Sequence, residues 1–170
     1  MVLTIPPGVD AEGRRKIIWS PTQTLSIATL SGPTSVDVSC YLTKNTAGVA
    51  SDTERGTDER ECTVEVFETL GKTTWTLNDL DYVWEPQAEP GSPTNQAYEM
   101  LVPRTSGFLT FQWGLESKAD LVAGSKVWQF PVTLGEQTPK TAEGGAGEKI
   151  KIVQSVVMSG EVIKDAVLVV

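Results

Sequence analysis

Residues Glu68–Trp75 read ETLGKTTW. Gly71-Lys72-Thr73 is how a phosphate-binding loop ends. Such a loop also needs a glycine five residues before the Gly-Lys pair, so that bare backbone can wrap the phosphates. Val66 stands there. It needs a helix to follow, whose N-terminus faces the anion. Thr73, Thr74, Trp75 and Thr76 are strand formers instead. The stretch is therefore expected as a turn between two strands, with Gly71 free to take a positive φ.

Outward from this turn, the flanks alternate. Before it, Cys62, Val64 and Val66 interleave with Glu61, Thr63 and Glu65. After it, Trp75 and Leu77 interleave with Thr74, Thr76 and Asn78. A period of two marks a strand with one face buried. The reading is a hairpin pairing Glu61–Glu68 with Thr73–Asn78. Its core face carries Cys62, Val64, Val66, Trp75 and Leu77, and its polar face carries Glu61, Thr63, Glu65, Thr74, Thr76 and Asn78. Phe67 falls awkwardly on the polar side.

Elsewhere Val36, Val38, Cys40 and Leu42 share one strand face. Lys44–Arg60 is polar and charged, and reads as a solvated loop. Ser92 and Pro93 can open a helix, Ala97, Met100 and Leu101 form one apolar stripe, and Pro103 stops it. This predicts a helix over Pro93–Val102. Strands are expected at Gly107–Trp113 and Lys126–Leu134, then a flexible loop over 137–148. Lys149–Ser159 and Val162–Val169 read as a second hairpin turning at Ser159-Gly160-Glu161. The sum is an all-β sandwich or barrel with one short flanking helix. Residues 1–15 form an extended arm and 16–170 a single β-sandwich domain.

The chain has 170 residues, a net charge of −8 and no histidine. That charge opposes a protein that neutralises phosphates. Lack of histidine removes the commonest general base and metal ligand. Two cysteines without histidine cannot close an ordinary zinc site. Cys40 and Cys62 are expected as free, buried thiols. No G-x-S-x-G occurs, and Gly144-Gly145-Ala146-Gly147 precedes a strand where a dinucleotide site would open a helix. No cofactor, metal or catalytic set is expected. No apolar run approaches the roughly 20 residues that span a bilayer, and the basic cluster follows the weak apolar stretch at the N-terminus, the reverse of a secretion signal.

Three stretches together resemble the major tail tube proteins of long-tailed, non-contractile bacteriophages. They are ECTVEVFETLGKTTWTLNDLDYVWEP from Glu61, NQAYEMLVPRTSGFLTFQWG from Asn95, and VWQFPVTLGEQTPK from Val127 with the terminal GEVIKDAVLVV. None is a chemical motif; order and spacing carry the likeness. The first 60 residues resemble the family only in length and strand content.

The resemblance implies a structural virion protein. Its subunits would close homo-hexameric rings that stack into a tail tube. DNA would pass along the lumen without specific binding. Partners would be the chain itself and the tape-measure, tail-terminator and distal tail proteins, with assembly in the host cytoplasm and no membrane. In a tube the polar hairpin face would line the lumen, whereas on a monomer the same face would simply meet solvent; 1–13 and 44–60 would bridge rings. The rivals are a monomeric carbohydrate-binding or adhesin sandwich, which needs tryptophans on an exposed face, and a ring-forming tail terminator or capsid decoration protein.

Overall fold

A computed structural model describes residues 13–44, 46–58, 61, 67–140 and 148–170. Among these, the strands are β1 (Arg15–Ser20), β2 (Val36–Asp37), β3 (Val49–Asp58), β4 (Phe67–Leu77), β5 (Leu80–Val83), β6 (Ser106–Trp113), β7 (Lys126–Lys140), β8 (Lys151–Met158) and β9 (Ile163–Val167). A single turn, α1 (Ile27–Leu30), follows β1. A 3-10 turn at Pro93–Asn95 runs into α2 (Gln96–Met100). The all-β architecture with one short flanking helix is as expected.

The main sheet runs β2-β1-β6-β7-β8-β5, all antiparallel. It curls until its ends meet. Val38 N–H donates to Ile17 O on β1, and a few residues on, Thr43 N–H donates to Asp81 O on β5 while Tyr41 O accepts from Val83 N–H of the same strand. Leu42 bridges Tyr82. The segment after β2 thus joins β1 to β5, and the sheet closes on itself, which removes its outer edges. Inside lie Ile17, Trp19, Leu80, Tyr82, Leu109, Phe111, Phe130, Val132, Leu134, Ile152 and Val156, all buried. A second cluster of Ile18, Leu30, Val127 and Leu168 covers the other face of β1 and β7.

The helix enters as expected. Ser92 Oγ accepts from Thr94 N–H with Pro93 at the first position. Ala97 and Leu101 are fully buried in the main core. The helix is tied down by a polar knot. Gln137 Nε2 donates to Tyr82 Oη (2.9 Å), Tyr98 O (2.8 Å) and Leu101 O (3.2 Å); Gln154 Nε2 donates to Leu101 O and Gly135 O (both 3.0 Å). Tyr82 Oη also meets Gln154 Oε1 at 3.1 Å. The side-chain amide protons of Gln137 and Gln154 thereby find acceptors, which burial requires.

Five expectations are corrected. The stretch 44–60 is no loop along its length: Val49–Asp58 is a strand. Its partner is β4, which runs unbroken from Phe67 through Gly71-Lys72 to Leu77. So Glu68–Lys72 is not a turn, and Glu61–Glu68 does not pair with Thr73–Asn78. The ladder passes from Thr53↔Thr73 to Arg55↔Leu70, leaving Glu54 opposite both Gly71 and Lys72. That is a β-bulge. A Cβ on Gly71 would lie 3.2 Å from Glu54 Cβ, so glycine lets the strands approach there.

The flexible loop expected over 137–148 is also cut back, because Gln137–Lys140 extend β7 and pair with β8. The second hairpin is absent too. Gln129 pairs with Thr110 on β6 and with Ile163 on β9, so β9 lies on the edge of β7 that β8 also occupies. Chain direction is kept across Ser159–Val162. The break falls at Pro131, whose carbonyl accepts from Ser159 N–H but which has no N–H to return. Finally, Cys40 is exposed. Ser39 Oγ and N–H both bond Asp37 Oδ1, which turns the chain and ends the alternation after Val38. Cys62 lies outside the described residues.

Candidate assembly surface

β3 and β4 pair with each other and with no other strand among the described residues. They form a two-stranded ribbon that leaves the barrel. Antiparallel partners share a face. One face carries Val49, Ser51, Thr53, Arg55 and Thr57 with Leu77, Trp75, Thr73, Leu70 and Glu68. The other carries Ala50, Asp52, Glu54, Gly56 and Asp58 with Thr76, Thr74, Thr69 and Phe67. The bulge explains Phe67. One extra residue shifts the phase of β4, so odd-numbered residues change faces between Thr73 and Thr69.

The base of the first face is rooted. Leu77 is buried, and Val49 and Trp75 pack on the main core. Trp75 meets Trp128 edge-on at 5.9 Å, and Trp128 meets Trp113 edge-on at 5.5 Å. Lys164 Nζ sits 4.6 Å from the Trp75 ring and 5.6 Å from that of Trp128, a cation over two aromatic faces. Asp165 beside it accepts from Trp128 Nε1 at 3.3 Å with φ at 51°. At the other strand, the Arg15 guanidinium donates to Thr46 O (2.8 Å) and Ala47 O (3.4 Å), just ahead of β3. Burial pulls the Arg15 pKa below its ordinary value.

Further out the cover ends. Leu70 is 80% exposed and Phe67 52%. Thr53 and Thr73 share a hydroxyl bond at 3.0 Å, and Arg55 reaches Glu68 at 3.6 Å. Exposed pairs of this kind contribute little, typically under about 1 kcal/mol. An isolated two-stranded ribbon is at best marginal in water. The outer ribbon is therefore a surface without a partner inside its own chain.

Of the residues expected to line a lumen, Glu61, Thr74, Thr76 and Asn78 are exposed. Thr74 and Thr76 share the ribbon's second face, opposite Asp52 and Ala50. Glu61 precedes β4 and is not across from them. Thr63 and Glu65 lie outside the described residues. Of the expected core set, Trp75 is half-buried and Leu77 buried, while Cys62, Val64 and Val66 lie outside the described residues.

No three His, Cys, Asp or Glu side chains among the described residues could hold a metal ion. Gly71-Lys72-Thr73 lies within a strand and opens no helix. The glycines at 144–147 lie outside the described residues. Trp75, Trp128 and Trp113 meet edge to face, Trp84 stacks on Tyr98, and Trp19 is buried in the core. No helix among the described residues is long and apolar enough to cross a membrane.

The described residues form a closed, curled barrel with one flanking helix and a projecting ribbon. The sequence profile of the phage tail tube protein family matches residues 2–170. The chain belongs to that family, and is a structural component of a phage virion tail. No curated protein matches the sequence. Among solved structures, a chain of the cryo-EM structure of the anti-feeding prophage (AFP) baseplate, 6-fold symmetrised, has a similar fold. Its TM-score is 0.54 at 9% identity, covering 95% of this chain and 98% of that one.

Sequence reasoning missed Lys164, β3 and the knot of Tyr82, Gln137 and Gln154. A signal existed for the knot: Gln154 occupies an apolar-phase position between Ile152 and Val156.

Proposed function

We propose that this chain is the repeating subunit of the tail tube, closing rings, most simply of six copies, that stack into a conduit for DNA. The observation that carries this is the ribbon. It leaves the barrel with Leu70 and Phe67 bare, and a neighbouring copy is the partner supplied in equal number. Closed rotation with head-to-tail stacking makes a tube from one kind of subunit. The ribbon takes the bridging role first expected of 44–60, with residues 1–13 as the other arm. The net charge of −8 suits passage of a polyanion, which a basic wall would hold back.

The tape-measure, terminator and distal tail proteins are then its neighbours, and no catalysis is asked of it. Among the described residues the lumen candidates are Thr74, Thr76 and Asn78, with Asp52 opposite Thr74 and Ala50 opposite Thr76, while Glu61 precedes β4. Assembly in the host cytoplasm would leave Cys40 and Cys62 as free thiols, and thiol counting under denaturing, non-reducing conditions should find both.

The deciding experiment is to concentrate the purified chain and follow particle size by light scattering and negative stain. Rings or tubes are expected. Rings alone would favour a terminator. A compact monomer at millimolar concentration would overturn the tube reading.

A further inference from the structure

The chain is acidic, yet lysines gather at one end of the main sheet. Lys140 ends β7, Lys151 opens β8, and the two stand directly opposite in the ladder. Like charges so placed repel. Lys149 is exposed just before β8. Asp81 on β5 reaches Lys140 at 3.5 Å; no carboxylate among the described residues pairs with Lys149 or Lys151. The neighbouring backbone is open as well. β6 pairs with β7 only as far as Ser106↔Thr133, so no strand among the described residues lies beside Glu136–Lys140 on that side.

The complement is at the ribbon's end. Beyond Thr53 and Thr73 it carries Glu54, Asp58, Glu61 and Glu68 against Arg55 and Lys72. Glu68 is shared with Arg55. Glu54 and Glu61 are exposed and make no ion pair among the described residues. Both ribbon edges are unpaired outward, like the free edge of β7.

We propose that the acidic end of one copy's ribbon docks on the lysine corner of a second copy, with Glu54 and Glu61 meeting Lys149 and Lys151 beside the free edge of β7. This rests on the tube reading and names the surfaces that meet. Opposite charge steers the encounter and fixes its register, and like charge placed there suppresses it.

Charge exchange tests it. Lys149→Glu/Lys151→Glu and Glu54→Lys/Glu61→Lys should each fold as wild type by circular dichroism and melting. Each should raise the concentration needed for assembly by roughly tenfold or more, as expected for like charges brought face to face. The fourfold variant should return to within about threefold of wild type. Raising salt should weaken wild-type assembly. Both double variants assembling like wild type would overturn the docking, as would a fourfold variant no better than either. If the lysine variant assembles normally but loses retention on short double-stranded DNA, the corner faces nucleic acid and the proposal falls. A wild-type chain that never assembles overturns the tube reading itself, a result distinct from charge exchange without effect.

Discussion

The barrel and the ribbon are built from the same antiparallel ladder, but they are stabilised differently. In the barrel β1, β6, β7 and β8 each pair with a strand on both edges, and their inward side chains are buried. The ribbon has one ladder, and past its bulge both faces are wet. Apolar burial, at about 25 cal/mol per Å², is concentrated in the first. The second relies on backbone pairing and on its rooted base. Threonine recurs along it for that reason: its branched side chain favours extended backbone without adding apolar surface.

If that contrast holds, substitutions in the barrel should cost stability and those in the outer ribbon should cost association. Phe130→Ala should have the largest effect. Phe130 is fully buried and packs edge-on against Phe111 at 5.1 Å. Its loss should lower unfolding free energy by roughly 3–5 kcal/mol, read from urea denaturation. A cost under about 1 kcal/mol would mean that the barrel is not the stable half.

Next is alkaline pH. Burial raises the Tyr82 hydroxyl above its ordinary 10.0, while its bond from Gln137 works weakly the other way. The unfolded chain gives up this proton near pH 10 and the folded chain keeps it. The stabilisation is thus complete below about pH 10 and is lost as pH rises beyond it, at up to about 1.4 kcal/mol per pH unit. Tyr82→Phe should flatten that slope between pH 10 and 12; an unchanged slope would assign it to other groups.

A smaller effect is expected at the junction. Lys164→Met removes the cation from Trp75 and Trp128 and should cost about 0.5–1 kcal/mol. It should also alter tryptophan fluorescence and speed amide exchange in Thr74–Leu77 more than in β6. Equal changes in both would mean that ribbon and barrel open together. Smallest for stability is Leu70→Ser, expected within about 0.5 kcal/mol of wild type while impairing assembly of the concentrated chain. Normal assembly would mean that the exposed leucine meets no neighbour.

Legibility in the sequence followed burial. β6, β7, β8 and α2 have one face in the core, so period two or the 3.6-residue stripe showed through SGFLTFQW and QAYEM. β3 was invisible because VASDTERGTD has no buried face to impose a pattern. Gly71-Lys72 misled because glycine serves a turn and a bulge equally well; which one occurs depends on Glu54, seventeen residues earlier by the numbering. Likewise VVMSGEVI reads as a hairpin until Pro131, distant in sequence, is placed beside it. The assembly surface was half legible. Alternation grouped Thr74 with Thr76 and Trp75 with Leu77, but could not say what lies across from them.

The bulge at Gly71-Lys72 has a geometric consequence for a repeated structure. Beyond it the ribbon continues for Arg55–Asp58, about 13 Å at roughly 3.3 Å per residue. A bulge bends and twists its strand, so this one residue acts as the elbow of a lever whose tip moves several ångströms for a modest change of angle. In one molecule that displacement is trivial. In a stack where every copy leans on the next, the same angular offset recurs at each layer and sums along the length. Deleting Gly71 would restore one-to-one pairing through Glu54 and straighten the elbow. The expected result is a filament of altered helical twist or curvature, built from subunits with unchanged cores.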